Sequence, residues 1–252
     1  LGFKLFDRKN RKFTLTSAGE YFYKKSLILV SDYEQICNES AKIARGDEMI
    51  LTIGYLRSYS GQEFHLALET FSAQYPYVSV RLINGNHEEL FTLLINGMVD
   101  LVFNDQRRAF SDEYINLLLT TSNEYIEISN RNPISVFQSI TLHDLKNIPC
   151  ILVSSKEQRE IEREYYQNVI GIQGNFIYAE NLEEARLLVI SGQGFMHVEG
   201  SGQSRNLGVS TCRIPLFRGN TQITRNYCLF WKKEHSGHYI KEFADILKSK
   251  FI

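Results

Sequence analysis

From Ile50 onward short apolar runs alternate with segments of helical periodicity, and this order most narrows the folds open to the chain. Ile50-Leu51-Thr52-Ile53-Gly54-Tyr55 reads as a strand bounded by Gly54. Residues 60–75 carry Phe64, Leu66, Leu68 and Phe71 at helical spacing and stop at Tyr75-Pro76, where proline forbids another turn. Val78–Ile83 alternates as a strand, residues 88–96 form a helix with Gly97 past its end, and Leu101–Phe103 is a third strand. This β-α-β-α-β order predicts a parallel sheet with right-handed crossovers.

A second unit follows. Strands are expected at 125–128, 150–153, 176–178, 194–198, 213–216 and 226–232, with helices at 157–169, 182–191 and 239–249. The last helix is expected to return to the first unit. Two α/β units of this size suit two lobes around a cleft. Their expected extents are 50–124 with 233–252 for the first lobe and 125–232 for the second.

The segment before these units has a different character. Residues 3–20 place Phe3, Leu5 and Phe6 before a basic turn (Arg8, Lys9, Arg11, Lys12), then Phe13, Leu15 and a helix start. Ser17 and Glu20 have capping-box spacing, with Thr16 as the rival cap. The helix should run over 17–46 without proline, with Gly46 as its stop. Phe22, Leu29, Tyr33, Ile36 and Ile43 lie on a stripe with steps of three and four. A stripe of that period pairs helices, although serines at two stripe positions favour a looser contact than a coiled coil.

Charge follows the same division. Residues 1–25 hold seven Lys/Arg against two acids, +5, whereas the whole chain is −1, leaving −6 for the rest. A basic end on a mildly acidic body suits an arm that touches phosphates.

Other classes find little support. An apolar share of 43% with four prolines describes a globular chain, and no run of about 18 apolar residues offers a membrane span. Cys37, Cys150, Cys212 and Cys228 are too scattered for a zinc site or a disulfide framework and suit reduced cytosolic thiols. His235 and His238 lack a third ligand, and there is neither a Gly-x-Ser-x-Gly elbow nor a phosphate loop. No metal, cofactor or enzymatic activity is expected.

The N-terminal residues Phe6-Asp7-Arg8, Arg11 and Leu15-Thr16-Ser17-Ala18-Gly19 resemble the end of the winged helix-turn-helix domain of LysR-type transcriptional regulators. Further landmarks follow in the family's order. They are Ile53-Gly54, Phe71-x-x-x-Tyr75-Pro76-x-Val78, Leu90-x-x-x-Leu94-x-x-Gly97-x-Val99-Asp100-Leu101 and Ser191-Gly192-x-Gly194. The resemblance implies an α/β fold with a two-lobed effector domain like the type-2 periplasmic binding proteins. A long linker helix and the remnant of a winged helix-turn-helix (residues 1–16) would precede it. It further implies that the DNA-reading helix precedes residue 1, that Arg8, Arg11 and Lys12 position phosphates, and that the long helix makes a homodimer, with tetramers left open. The implied protein is cytoplasmic, binds DNA and a small effector, and does not associate with membranes. The rival class is a solute-binding protein of a transport system.

In open α/β sheets ligands sit beyond the carboxyl ends of the strands. Those positions hold Arg57, Ser58, Tyr59 and Ser60 after the first strand, Asn86 and His87 after the second, and Asn104 and Asp105 after the third. Ser154 and Glu199 follow strands of the second lobe. In the family the inducer site draws on these loops. Where the family often has proline, this chain has acidic Glu199, which leaves the sign of the ligand's charge open.

Overall fold

The computed structural model describes residues 1–9, 12–45, 48–108, 111–200 and 210–251. A short antiparallel hairpin, β1 (Phe6–Lys9) and β2 (Lys12–Leu15), opens the chain. It feeds α1 (Ser17–Arg45), whose 29 residues span roughly 43 Å at 1.5 Å per residue. The cap is Thr16 and not Ser17: Thr16 Oγ1 accepts from the Gly19 N–H at 2.9 Å and donates to the Lys4 carbonyl at 2.9 Å. Ser17 is already the first helical residue. Arg11 and Gly46 lie outside the described residues, as do the side chains of Arg8, Lys12 and Ile43.

The first lobe contains β3 (Met49–Leu56), α2 (Glu63–Gln74), β4 (Val78–Gly85), α3 (His87–Ile95) and β5 (Leu101–Asp105). The strands are parallel in the order β4-β3-β5. Local chemistry explains the sequence landmarks. A Cβ on Gly54 would meet Leu90 and Val102 side-chain carbons at 3.1 Å, so the small residue lets α3 sit close on the sheet. Asp100 accepts the Thr52 N–H at 2.7 Å and returns its own N–H to the Thr52 carbonyl at 2.9 Å, which pins β5 beside β3. Phe64, Ala67 and Phe71 form the buried face of α2, while Leu66, on the predicted apolar stripe, is exposed.

β6 (Tyr114–Ser129) then crosses both lobes. Sequence reading places only 125–128 in a strand; the structure gives 16 residues. The unread part is 114–124: the polar run Thr120-Thr121-Ser122-Asn123 separates the mostly apolar residues 115–119 from 125–128, yet the backbone is held by β13 over 114–123.

The second lobe continues with β7 (Ile140–Thr141), β8 (Cys150–Val153), α4 (Arg159–Glu164), β9 (Phe176–Ala179), α5 (Leu182–Ile190), β10 (Phe195–Gly200), β11 (Thr211–Arg218) and β12 (Thr221–Gln222). The helix expected over 157–169 is split into a 3-10 turn, α4 and a π-helical turn (Tyr165–Ile170), which Gly171 ends with a φ of +91°. At Gly194 a Cβ would come within 2.3 Å of the Pro149 carbonyl oxygen, so only glycine fits between β10 and the preceding loop.

β13 (Thr224–Lys232) and α6 (His238–Ser249) close the chain. The sequence division assigns 224–232 to the second lobe. In the structure β13 pairs with β5 over Tyr227–Phe230, and Tyr227 to Trp231 join the first lobe's core. Both long strands therefore link the lobes in one sheet path, β4-β3-β5-β13-β6-β10-β8-β9. α6 returns to α2, where Phe71 and Phe243 pack edge to face at 5.7 Å between ring centres. Each such buried aromatic contributes about 1.5–3 kcal/mol from its apolar area. The second lobe has a core on each face of its sheet, one around Ile126, Phe195 and Ile214 and one around Ile151, Val189 and Val198.

Candidate functional site

The carboxyl ends of β3, β4 and β5 meet the second lobe along a seam of polar side chains. Asn86 precedes α3 and reaches across it: its Nδ2 donates to the Val153 carbonyl at 3.0 Å, and its Oδ1 accepts from the Ser155 N–H at 3.3 Å. Glu89, in the first turn of α3, accepts from Asn86 N–H at 2.8 Å and from Ser155 Oγ at 2.7 Å. Arg57 lies 3.5 Å from the same carboxylate.

Deeper in the seam is a charged cluster. Arg107 donates through Nε to Asp105 at 2.9 Å and through both terminal nitrogens to Glu162 at 3.1 and 3.0 Å. Its guanidinium lies over the Tyr165 ring at 3.7 Å. Since Arg107 comes from the first lobe and Glu162 from the second, this bidentate pair clamps them together. His87 Nδ1 sits 3.2 Å from the other Asp105 oxygen, and Asn104 donates to the His87 carbonyl at 3.3 Å. Burial pushes the Asp105 carboxyl upward, but Arg107, His87 and Arg225 outweigh it and hold the group well below the usual range. On the other side of Arg225, His197 Nδ1 lies 2.7 Å from Glu124, and Arg225 itself is 3.7 Å from that carboxylate.

Beside the seam a cavity of about 810 Å³ opens between the lobes. Tyr59 and Ser60 enter it from the first lobe, Thr120 to Asn123 from β6, and Arg186, Glu199 and Arg213 from the second lobe. Tyr227, Lys250 and Phe251 add to the wall, as does the acid Glu63. Tyr59 is fixed by edge-on contacts with Phe103 at 4.7 Å and Tyr227 at 5.2 Å, and its hydroxyl donates to Glu63 at 2.6 Å. Glu199 crosses from β10 to accept from the Ser60 N–H with one oxygen and from the Tyr227 hydroxyl, at 3.2 Å, with the other. Burial, then the neighbouring Glu124 charge, push its carboxyl up. The same two acids and burial push the Tyr227 hydroxyl up, burial foremost.

The sequence-derived residues thus divide into two groups. Tyr59, Ser60 and Glu199 line the cavity. Asn86, His87, Asn104, Asp105 and Ser154 are buried in the seam and hydrogen-bonded within the protein, His87 through Nδ1 while its buried Nε2 has no hydrogen bond among the described residues, and Arg57 pairs with Glu89 at its edge. Ser58 is half-buried beside Arg57 and outside the cavity wall. Arg107, Glu162, Arg225, Arg186, Arg213 and Lys250 are additions from the structure. In sequence Arg225 stands just before the strand expected at 226–232, with nothing to single it out, and Arg186 and Lys250 look like any surface-helix cation.

Among the described residues no three His, Cys, Asp or Glu side chains gather as a metal would need. No helix there is long and apolar enough to cross a membrane.

Known proteins share this fold. The LysR substrate binding domain family matches residues 44–252. The HTH-type transcriptional regulator AlsR of Bacillus subtilis is 22% identical over 250 residues, covering 98% of this chain and 81% of the relative. The regulator CysB of Haemophilus influenzae is 21% identical over 179 residues, 71% of this chain and 55% of that one. Among solved structures, the reduced regulatory domain of OxyR from Pseudomonas aeruginosa superposes with a TM-score of 0.64 at 15% identity, covering 80% of this chain and 98% of that one. Full-length CbnR in complex with its target DNA gives 0.58 at 17% identity, covering all of this chain and 85% of that one. With a two-lobed α/β fold, a long helix before it and a family match over most of its length, the chain belongs to the LysR family of transcriptional regulators.

Proposed function

We propose that the chain is the linker and sensor part of a cytoplasmic transcriptional regulator, whose effector enters the cavity between the lobes. The observation that carries this reading is the composition of the cavity wall, which takes residues from both lobes and from the strand joining them. A ligand there touches surfaces that move relative to one another when the lobes rotate. Its affinity for two lobe arrangements therefore differs, and only such a difference lets binding shift an equilibrium.

The output runs through α1. Tyr21, Leu29, Tyr33 and Ile36 are 63–72% exposed on it, an apolar face that this chain leaves uncovered. A second copy of the helix would cover it and couple lobe geometry to the spacing of two DNA-binding domains. Arg8 in β1 and Lys12 in β2, with Arg11 of the sequence, supply the charge for phosphate contacts, which position a protein on DNA without reading its sequence.

Footprinting of the regulator, with its DNA-reading helix present, upstream of its own and neighbouring genes tests this reading. Protection that shifts with one compound of a metabolite panel is expected. Protection that no compound alters would remove the sensor role, and no protection at all would remove the regulator.

A further inference from the structure

Resting on the reading of the cavity as the effector site, the pairing of the charges in its wall bears on the charge of that effector. The loop after β3 would ordinarily offer its N–H groups to an anion. Here Glu199 takes that place: its carboxylate accepts the Ser60 N–H and the Tyr227 hydroxyl, so the deep end of the cavity is already supplied with an anion. Glu63 is likewise engaged by the Tyr59 hydroxyl at 2.6 Å. The cations of the wall are not matched in this way. Among the described residues, half-buried Arg186 and Lys250 have no carboxylate partner. Arg213 makes only a 3.4 Å contact to the Glu199 carbonyl and a 3.7 Å approach to Glu127, and its Nε is buried without a hydrogen bond. Ser60 Oγ is also buried without a partner.

We propose that the cavity takes a small hydroxylated carboxylate, with its carboxylate held by Arg186, Arg213 and Lys250 and its hydroxyl on Ser60 Oγ. The cations come from both lobes: Arg186 from α5, Arg213 from β11 and Lys250 from the end of α6 in the first lobe. Without a ligand these like charges repel across the cavity, and an anion between them draws the lobes together. The charge that binds the ligand is thus also the charge that makes its binding sensitive to closure.

The test is calorimetric titration of the whole chain with malate, succinate and putrescine, repeated on Arg186→Gln, Lys250→Gln, Ser60→Ala and Ser122→Trp. Each variant's melting temperature is recorded so that misfolded protein is recognised. Malate should bind, succinate several-fold more weakly, and putrescine not at all. Each Gln variant should weaken malate about tenfold or more, an ion contact being worth about 1.4 kcal/mol or more on that scale. Ser60→Ala should erase the preference for malate over succinate. Putrescine binding that Ser122→Trp abolishes would overturn the anion while leaving the cavity as the site. Malate binding that none of the four variants alters would place the anion elsewhere and overturn the cavity as well. No binding of malate or succinate to well-folded chain would overturn the proposed ligand class.

Discussion

Two carboxylates in this molecule titrate in opposite directions, and each has a consequence for stability. Asp105 is held below its ordinary value of 3.8, so its ionised form stabilises the fold. That stability is fully present above about pH 4 and is lost as pH falls further, because the unfolded chain takes up the proton first. Arg107→Ala removes the main partner of Asp105 and strands Glu162 as well; with Asp105 fully buried the expected loss is about 3–5 kcal/mol, read by chemical denaturation at pH 7. An unchanged midpoint would show that the clamp is not formed. Glu199 is raised above 4.5, so it costs stability as pH rises through its folded value. Gln at this position keeps an acceptor for the Ser60 N–H and can donate to the Tyr227 oxygen. Glu199→Gln should therefore melt higher than the parent at pH 8, with the gain vanishing toward pH 4.5; a variant that melts lower at every pH would contradict it.

Residues of this kind were partly legible before the fold was known. Tyr59, Ser60 and Glu199 follow strands, where parallel sheets place ligands, and the chain order alone finds them. The same rule also gathers Asn86, which bonds across the seam to the second lobe, and His87, Asn104, Asp105 and Ser154, whose side-chain hydrogen bonds stay within their own lobe. A strand-end rule locates a polar end of a sheet without saying whether a ligand or the opposite lobe will satisfy it. Arg107 also follows a strand end, two residues after β5, but its pairing with Glu162, 55 residues on, is beyond what chain order shows.

At the scale of elements, periodicity served where one face is buried and failed where neither is. The helix of residues 17–45 is legible from its stripe and absent proline, and α2, α3, α5 and α6 from their buried faces and stops. β6 escapes the sequence reading over 114–124, where the hydroxyl and amide side chains of 120–123 interrupt any apolar alternation. The assignment of β13 to the second lobe failed for another reason: strand order in space, β5-β13-β6, does not follow strand order in sequence. α1 has the most direct test. Replacing Leu29, Tyr33 and Ile36, all more than 60% exposed, by Glu removes apolar area only where a second helix would cover it. Sedimentation should show a smaller assembly with the melting behaviour of the two lobes intact. An unchanged mass would place the dimer contact elsewhere.

At the scale of the molecule, the seam and the cavity lie side by side between the same two lobes, and under the proposed function both bear on one lobe rotation. The Arg107–Glu162 clamp and the Asn86–Ser155 bridge hold the lobes together without any ligand, while the cavity beside them keeps unmatched cations from both sides. A ligand must supply only the difference between two nearby arrangements; shifting a two-state equilibrium from 1:99 to 99:1 asks for about 5.5 kcal/mol of differential affinity.

The most direct measurement is the distance between spin labels at exposed Glu69 on α2 and Glu183 on α5, with exposed Cys37 replaced by Ser, before and after adding the metabolite that shifts the footprint. A changed distance that Ser122→Trp abolishes is the result predicted for an effector acting through the interlobe cavity. A shifted footprint with the two lobes at an unchanged distance would contradict it.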